Sequence, residues 1–239
     1  MTARPEVLSS DSGRTVGVEM FKTILLAVVL ATTGVLSSAV ANENAHYDLL
    51  FKNGVLDAID RSNALIYKRE MDTPIQPELA ERDSGTIALS FKDGDKPLAQ
   101  LQLHQGDKSR GLGVFPASVG NPMILFFYET IVRDMASTAG GSPYYIRNRV
   151  KDALISKTTL VEGEDSFAGQ AIATKTVSFR PFAEDPNADR MEGFGALELS
   201  VTVSDEVPGW YLRLTAEAIG EDGPVYRSVV EFQGLEGSK

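Results

Sequence analysis

Apolar and polar residues alternate over short stretches of the chain that follows residue 46. Four such segments occur, at residues 47–52, 64–69, 86–92 and 98–104. Alternation with a period of two is typical of strands that bury one face. The turn Asp93-Gly94 separates the last two segments and predicts that they pair as a hairpin. Pro74 and Pro77 predict a loop over 71–84.

The same alternation returns after residue 157. The predicted strands are 159–161, 172–179, 197–203, 210–216 and 225–232. Turn sequences such as Val207-Pro208-Gly209 and Asp222-Gly223 connect neighbouring segments closely. Consecutive strands with short connections favour antiparallel meanders over a parallel sheet, which needs a crossover between strands.

Between the two sets lies a segment with helix signals. Asn121-Pro122 is a start signal, the apolar run beginning at Met123 follows it, and Gly140-Gly141 stops the pattern. Ser142-Pro143 then repeats the start signal before a second amphipathic stretch. Glu129 and Arg133 are four residues apart, a spacing that predicts an ion pair on the first helix. The two helices are expected to form a helical hairpin.

These elements predict an α+β fold: a curved antiparallel β-sheet of two meanders, with the central helical hairpin packed on one face. The very apolar stretch 123–128 requires such a face for burial. Two separate sheets are the alternative. At the level of fold, a curved sheet with helices resembles periplasmic carriers that shelter lipid or lipoprotein acyl chains, although no motif carries the resemblance to function.

The N-terminal region predicts a secretory signal peptide over residues 1–41. An apolar run at 24–35 follows Lys22, and the small residues that end at Ala41 are typical of a cleavage site. The run has about a dozen residues, whereas a membrane-spanning helix needs about 20. We therefore expect cleavage near Ala41 and a periplasmic or secreted protein without a membrane span.

Residues 1–19 differ from a signal peptide because they are polar and carry no net positive charge. We predict that translation begins at Met20 and that the preceding residues are a mis-called extension. Residues 42–239 are then expected to form a single α+β domain.

Composition removes several classes of function. With 33 acidic and 23 basic residues the net charge is −10, which argues against nucleic-acid binding. The absence of cysteine excludes disulfides, thiolate zinc sites and cysteine nucleophiles. Asp185, Asn187 and Asp189 begin like a calcium loop, but Arg190 replaces the required glycine, so an acidic turn is the preferred interpretation. No metal site and no cofactor are predicted.

Special residues concentrate in the segment 111–145. The aromatic residues there predict a pocket at the junction of sheet and hairpin, with core packing as the alternative. Two arginines on the second helix are candidates for a phosphate, a headgroup or an acidic surface, or else form a solvated helix face. The candidate binding residues are Phe115, Phe126, Phe127, Tyr128, Tyr144, Tyr145, Arg147 and Arg149.

These features favour an exported, non-enzymatic protein that binds a ligand or a partner, with an apolar cavity between sheet and hairpin. The expected occupant is a hydrophobic small molecule or an envelope protein. A hydrolase that uses two Asp or Glu side chains is one alternative, since carboxylate spacing is not readable from a sequence. A structural, self-associating envelope protein is the other.

Overall fold

A computed structural model of the protein describes residues 45–92 and 96–237 of the 239-residue chain. Its helices are α1 (Ala45–Leu50), α2 (Pro77–Asp83), α3 (Met123–Thr138) and α4 (Pro143–Ser156). Its strands are β1 (Asn63–Asp72), β2 (Gly85–Lys92), β3 (Leu98–Gln105), β4 (Lys108–Pro116), β5 (Thr159–Phe167), β6 (Gln170–Phe179), β7 (Glu198–Val203), β8 (Tyr211–Gly220) and β9 (Gly223–Gly237). The predicted signal peptide, the start at Met20 and the turn Asp93-Gly94 lie outside the described residues.

All nine strands pair antiparallel in one sheet, in the order β4-β3-β2-β1-β9-β8-β7-β6-β5. The first meander runs outward from β1 to the edge strand β4, and the second runs inward from the edge strand β5 to β9. The pairing of β1 with β9 joins the two. The predicted α+β class and the antiparallel sheet are confirmed, and the alternative of two separate sheets is wrong. The predicted hairpin partners are also correct, because β2 pairs with β3 along its whole length.

The sheet curls strongly at its C-terminal side. The rings of Phe167 on β5 and Phe232 on β9 have centres 5.3 Å apart. In a flat sheet, two strands four positions apart would be separated by roughly 19 Å. Residues 170–174 of β6 do not pair with β7, so this end of the β5–β6 hairpin is free of β7. The contact of Phe167 with Phe232 shows that the free end folds back across the neighbouring strands.

One face of the sheet is covered by α3. On β1 the side chains of Tyr67 and Arg69 are buried, while Ile66 is half-buried and Lys68 and Glu70 are exposed. The ring of Tyr128 on α3 packs edge-on against Phe179 of β6, with centres 6.1 Å apart. Further along α3, Asp134 reaches β9 and β1, so the helix crosses much of the sheet. That α3 and α4 pack as a hairpin stays a prediction.

The start of α3 is fixed by Asn121, as its start signal predicts. The Asn121 side-chain oxygen accepts the backbone N–H of Met123 at 3.0 Å. Its amide group donates to the Tyr67 hydroxyl and to the Gly209 carbonyl, both at 2.8 Å. A single side chain therefore ties the helix start to β1 and to the turn before β8.

Two predicted elements are wrong. The segment 47–52 was expected as a strand but its first residues belong to α1, whose Leu50 is fully buried. The carbonyl of Leu49 accepts the Trp210 indole N–H at 2.9 Å, and that of Leu50 accepts the Tyr211 hydroxyl at 2.5 Å. These bonds satisfy carbonyls at the end of a short helix that would otherwise lack partners.

The segment 71–84 is not only a loop, because it contains α2. Pro77 occupies the first turn of this helix, where its missing N–H costs no hydrogen bond.

Among the described residues, none of the helices combines the length and the apolar content that crossing a bilayer requires.

Candidate functional site: an arginine-lined cleft

Arg69 is a charged residue in the buried row of β1. Its side chain is only 1% exposed, yet its Nε has no hydrogen-bond partner. Its Nη2 lies 3.6 Å from Oδ2 of Asp134 and 3.9 Å from the sulfur of Met71. A guanidinium carries five N–H donors, and burying it without strong partners is costly. Arg69 therefore has hydrogen-bonding capacity that the protein itself does not use.

Asp134 of α3 is the nearest counterion to Arg69 and is equally buried. Its Oδ2 accepts the Tyr226 hydroxyl at 3.0 Å, whereas its Oδ1 has no hydrogen-bond partner and lies 3.6 Å from Arg133. Burial raises the pKa of Asp134 above the ordinary value, although Arg69, Arg133 and Tyr226 act in the opposite direction. Contacts at 3.6 Å are too long to be good hydrogen bonds.

Asp83, the last residue of α2, is the second buried carboxylate of this region. Arg82 donates to it twice, at 3.1 and 2.8 Å, and Arg110 of β4 donates at 2.7 Å. Arg133 lies 3.7 Å from the same carboxylate. Burial alone would raise the pKa of Asp83, but the hydrogen bonds from Arg82 and Arg110 outweigh it and hold the pKa well below its usual range.

The charges of this region do not balance. Four guanidinium groups meet two buried carboxylates here: Arg69, Arg82, Arg110 and Arg133 against Asp83 and Asp134. Glu129 lies nearby, but its carboxylate is already engaged by Arg147. A local excess of positive charge in a protein of net charge −10 favours an anionic ligand at this place.

A cleft of about 260 Å³ opens beside these groups, between β1, β4 and α3. We call it the arginine cleft; it is lined by Arg69, Arg110, Gly111, Leu112, Phe115, Leu125, Phe126, Glu129, Thr130 and Arg133. The guanidinium carbon of Arg69 lies 5.5 Å from the centre of the Phe126 ring. Ligand sites for drug-sized molecules usually measure about 300–1,000 Å³, so this cleft suits a small molecule or one end of a larger one.

Two of the sequence-predicted site residues, Phe115 and Phe126, line the arginine cleft. Phe127 and Tyr128 instead belong to the hydrophobic core, with their rings 5.7 Å apart. The Tyr128 hydroxyl is buried without a partner, and burial raises its pKa above the ordinary value. The predicted set of aromatic residues is therefore divided between the cleft wall and the core.

The remaining four predicted residues lie on α4, where polar partners on other elements hold three of them. Arg147 donates twice to Glu129, both at 2.7 Å, while Tyr144 is exposed beside it. The predicted pair of Glu129 with Arg133 is wrong, because Arg133 turns towards the two buried carboxylates. Tyr145 and Arg149 both donate to Asp185 in the loop after β6. Whether any of these residues binds a ligand stays a prediction.

Sequence reasoning missed Arg69, Arg110 and Arg133. The signal for Arg69 was available, since it occupies the same parity as Leu65 and Tyr67 in an alternating strand. Asp134 gave a similar signal, one residue before Met135 on the apolar side of α3. A charged residue in the buried row of an element needs a partner, and two such residues predict each other.

The described residues contain no group of three or more His, Asp or Glu side chains arranged for a metal ion. In the loop predicted as an acidic turn, Asp185 accepts the backbone N–H of Asn187 at 2.9 Å. Of the two histidines, His46 lies 2.6 Å from the Thr158 hydroxyl, which places α1 against the end of α4.

Comparisons with known proteins show a weak structural likeness. No protein-family model matches the chain, and no curated protein matches it. Among the solved structures, the lipoprotein LppX of Mycobacterium tuberculosis aligns with 78% of this chain and 88% of its own, at 10% identity and a TM-score of 0.29. A likeness of this strength assigns no function.

Proposed function

We propose that the protein is an exported, non-enzymatic binding protein that takes a small organic anion in the arginine cleft. The observation that carries the proposal is Arg69: a buried guanidinium, at the wall of an open cleft, with an unpartnered Nε. Native proteins rarely leave such groups without a partner. An oxyanion bound in the cleft would add negative charge beside this guanidinium, which the long contact with Asp134 neutralises only weakly.

The other residues of the cleft fit the same kind of ligand. A guanidinium presents parallel N–H groups that match the two oxygens of a carboxylate or a phosphate. The side chains of Arg110 and Arg133 are about half exposed, so they are accessible to a ligand. Phe115 and Phe126 provide the apolar surface that an organic group contacts.

The buried carboxylates support binding over the hydrolase alternative. A hydrolase of this type needs two carboxylates that reach a substrate. The side chain of Asp83 is fully buried and that of Asp134 is 1% exposed. Asp83 already accepts three hydrogen bonds from arginines, and neither Asp83 nor Asp134 is among the residues that line the arginine cleft.

Titration calorimetry with butyl phosphate and with butyrate tests the proposal. We expect the wild type to bind at least one of them, and the double variant Arg110→Gln/Arg133→Gln to bind at least tenfold more weakly. Each charge-assisted hydrogen bond contributes about 1.5–3 kcal/mol, which corresponds to roughly a tenfold or larger change in Kd. The double variant removes one hydrogen bond to the buried Asp83, but Arg82 still donates to that carboxylate twice. We therefore expect the variant to be less stable than the wild type but folded, as circular dichroism can verify.

The variant Arg180→Gln is the matched control. Arg180 is also an exposed arginine paired with a glutamate, and it lines a different surface cleft. The Arg180→Gln variant should bind both anions with the same affinity as the wild type. The proposal is wrong if neither anion binds the wild type, or if the double variant and the control bind equally well.

A further inference from the structure

A second, apolar cavity adjoins the arginine cleft. It has a volume of about 60 Å³ and shares two wall residues, Phe115 and Leu125, with the cleft. We call it the apolar groove; its other apolar walls include Phe51, Val119, Pro122 and Ile124. The two cavities therefore meet along a common wall, with arginines on one side and hydrocarbon on the other.

Apolar side chains are unusually exposed beside this groove. Val119 is 64% exposed and Leu125 is 46% exposed, although both point apolar surface at the same small cavity. Leu125 is the one residue of the first six of α3 that is not buried. Exposed apolar residues that line a cavity next to a charged site favour an amphiphilic ligand.

Polar groups at the groove already have partners within the protein. Lys52 pairs with Asp205 at 2.7 Å, and Asn121 makes the three hydrogen bonds that fix the start of α3. The groove therefore offers contact surface and no further charge. An alkyl chain makes good contacts in such a place, whereas a second charged group does not.

We propose that the ligand of the arginine cleft is a single-chain anionic amphiphile whose hydrocarbon chain lies in the apolar groove. The proposal rests on the proposed function and adds the chemical class of the ligand. The oxyanion meets the exposed Arg110 and Arg133 beside the buried Arg69, and the chain passes the shared wall of Phe115 and Leu125. The net charge of −10 favours a single amphiphile over the surface of an anionic membrane, which would repel the protein.

A chain-length series tests this inference. Butyl, hexyl, octyl and decyl phosphate are titrated below the concentration at which micelles form. Burying one methylene completely strengthens binding by about fourfold, so we expect roughly a twofold to fourfold gain per methylene in this half-open groove. The gain should level off once the chain extends beyond Val119.

Two exposed positions provide the variants. Val119→Ser should weaken decyl phosphate binding by about fivefold or more and leave butyl phosphate binding nearly unchanged, because Val119 lines only the apolar groove. Leu125 lines both cavities, so Leu125→Ser should weaken the binding of decyl phosphate more than that of butyl phosphate. Val161→Ser is the matched control, because Val161 is an equally exposed valine on the edge strand β5. We expect this control to bind the whole series like the wild type.

The outcomes separate the two proposals. If butyl phosphate binds in an arginine-dependent way but longer chains add nothing, the apolar groove is not part of the site and only the proposed function remains. If no member of the series binds but butyrate does, the inference is wrong and the proposed function remains. If butyrate does not bind either, the proposed function itself fails. Tighter binding of decyl phosphate that Val119→Ser and Leu125→Ser do not affect would place the chain elsewhere and overturn the inference. So would affinity for phosphatidylglycerol vesicles without affinity for monomeric decyl phosphate.

Discussion

Two buried aspartates, Asp134 and Asp185, each connect a helix to another part of the protein. They differ in how well their carboxylate oxygens are hydrogen-bonded. Asp185 accepts Tyr145, Arg149 and the backbone N–H of Asn187, all within 2.9 Å. Asp134 accepts one good hydrogen bond, from Tyr226, and its two arginines remain at 3.6 Å. One aspartate is saturated by its surroundings, and the other leaves acceptors and donors unused.

The pKa values of the two groups diverge for the same reason. Burial alone would raise the pKa of Asp185, but the bonds from Tyr145, Asn187 and Arg149 outweigh it and lower the pKa. Burial dominates at Asp134, whose pKa is raised despite its arginine neighbours. A buried charge whose hydrogen bonds are all made within the protein, as at Asp185, is typical of a residue with a structural role. The long contacts of Asp134 leave Arg69 and Arg133 incompletely neutralised, as a site for an anionic ligand beside them requires.

The largest effect is expected from Arg69→Met. This change leaves the buried carboxylate of Asp134 without its nearest counterion, and breaking a buried pair from one side costs about 3–5 kcal/mol. Urea denaturation would measure the free energy of unfolding. The double variant Arg69→Met/Asp134→Leu should recover most of the loss, since it removes both charges. A cost below about 1 kcal/mol for Arg69→Met would show that the pair is not strongly coupled.

A smaller effect is expected from Asp185→Asn. The amide keeps the shape and one acceptor oxygen but loses the negative charge to which Arg149 and Tyr145 donate hydrogen bonds. The free energy of unfolding in the same assay should therefore fall by about 1–3 kcal/mol. Because Asp185 lies away from the arginine cleft, affinity for butyl phosphate should not change. A loss of affinity without a loss of stability would contradict the structural role of Asp185.

The smallest effect is a pH dependence that distinguishes the two aspartates. An acid whose pKa is lowered by folding stabilises the protein above its unfolded pKa, about 3.9 for Asp, and that contribution is lost as the pH falls further. The stability difference between wild type and Asp185→Asn should therefore shrink below about pH 4. Asp134 has the opposite sign: its protonation, at a pH above 3.9, relieves a buried charge and adds stability as the pH falls. Urea midpoints measured from pH 3 to pH 7 for the wild type, Asp185→Asn and Asp134→Asn check the two signs, because each neutral amide removes the pH dependence of the aspartate that it replaces.

The sequence predicted most of the sheet because alternation survives in a strand that buries one face. It also predicted both central helices, since Asn121-Pro122 and Ser142-Pro143 mark helix starts that depend only on local geometry. It failed at α1, where the apolar residues Tyr47, Leu50 and Phe51 fit a short strand and one helical turn equally well. The rings of Tyr47 and Phe51, which lie 4.5 Å apart, show the four-residue spacing that decides for the helix.

The site was less predictable than the fold for a physical reason. Arg69, Arg110 and Arg133 come from β1, β4 and α3, and only the tertiary arrangement brings them together. The aromatic residues near the helix starts predicted a ligand pocket, yet Phe127 and Tyr128 pack in the hydrophobic core. Arg69 and Asp134 are more informative, because they are charged residues at buried positions. A prediction based on the spacing of apolar residues ignores such positions.

The contact of Trp210 with α1 also has a spectroscopic consequence. Trp210 is the only tryptophan of the chain; its indole donates to the Leu49 carbonyl, and the Lys52 ammonium lies 3.9 Å from its ring centre. Its fluorescence therefore reports the attachment of α1 to the beginning of β8, while circular dichroism reports the sheet and the long helices. Comparing the two unfolding transitions shows whether α1 detaches together with the rest of the fold or before it.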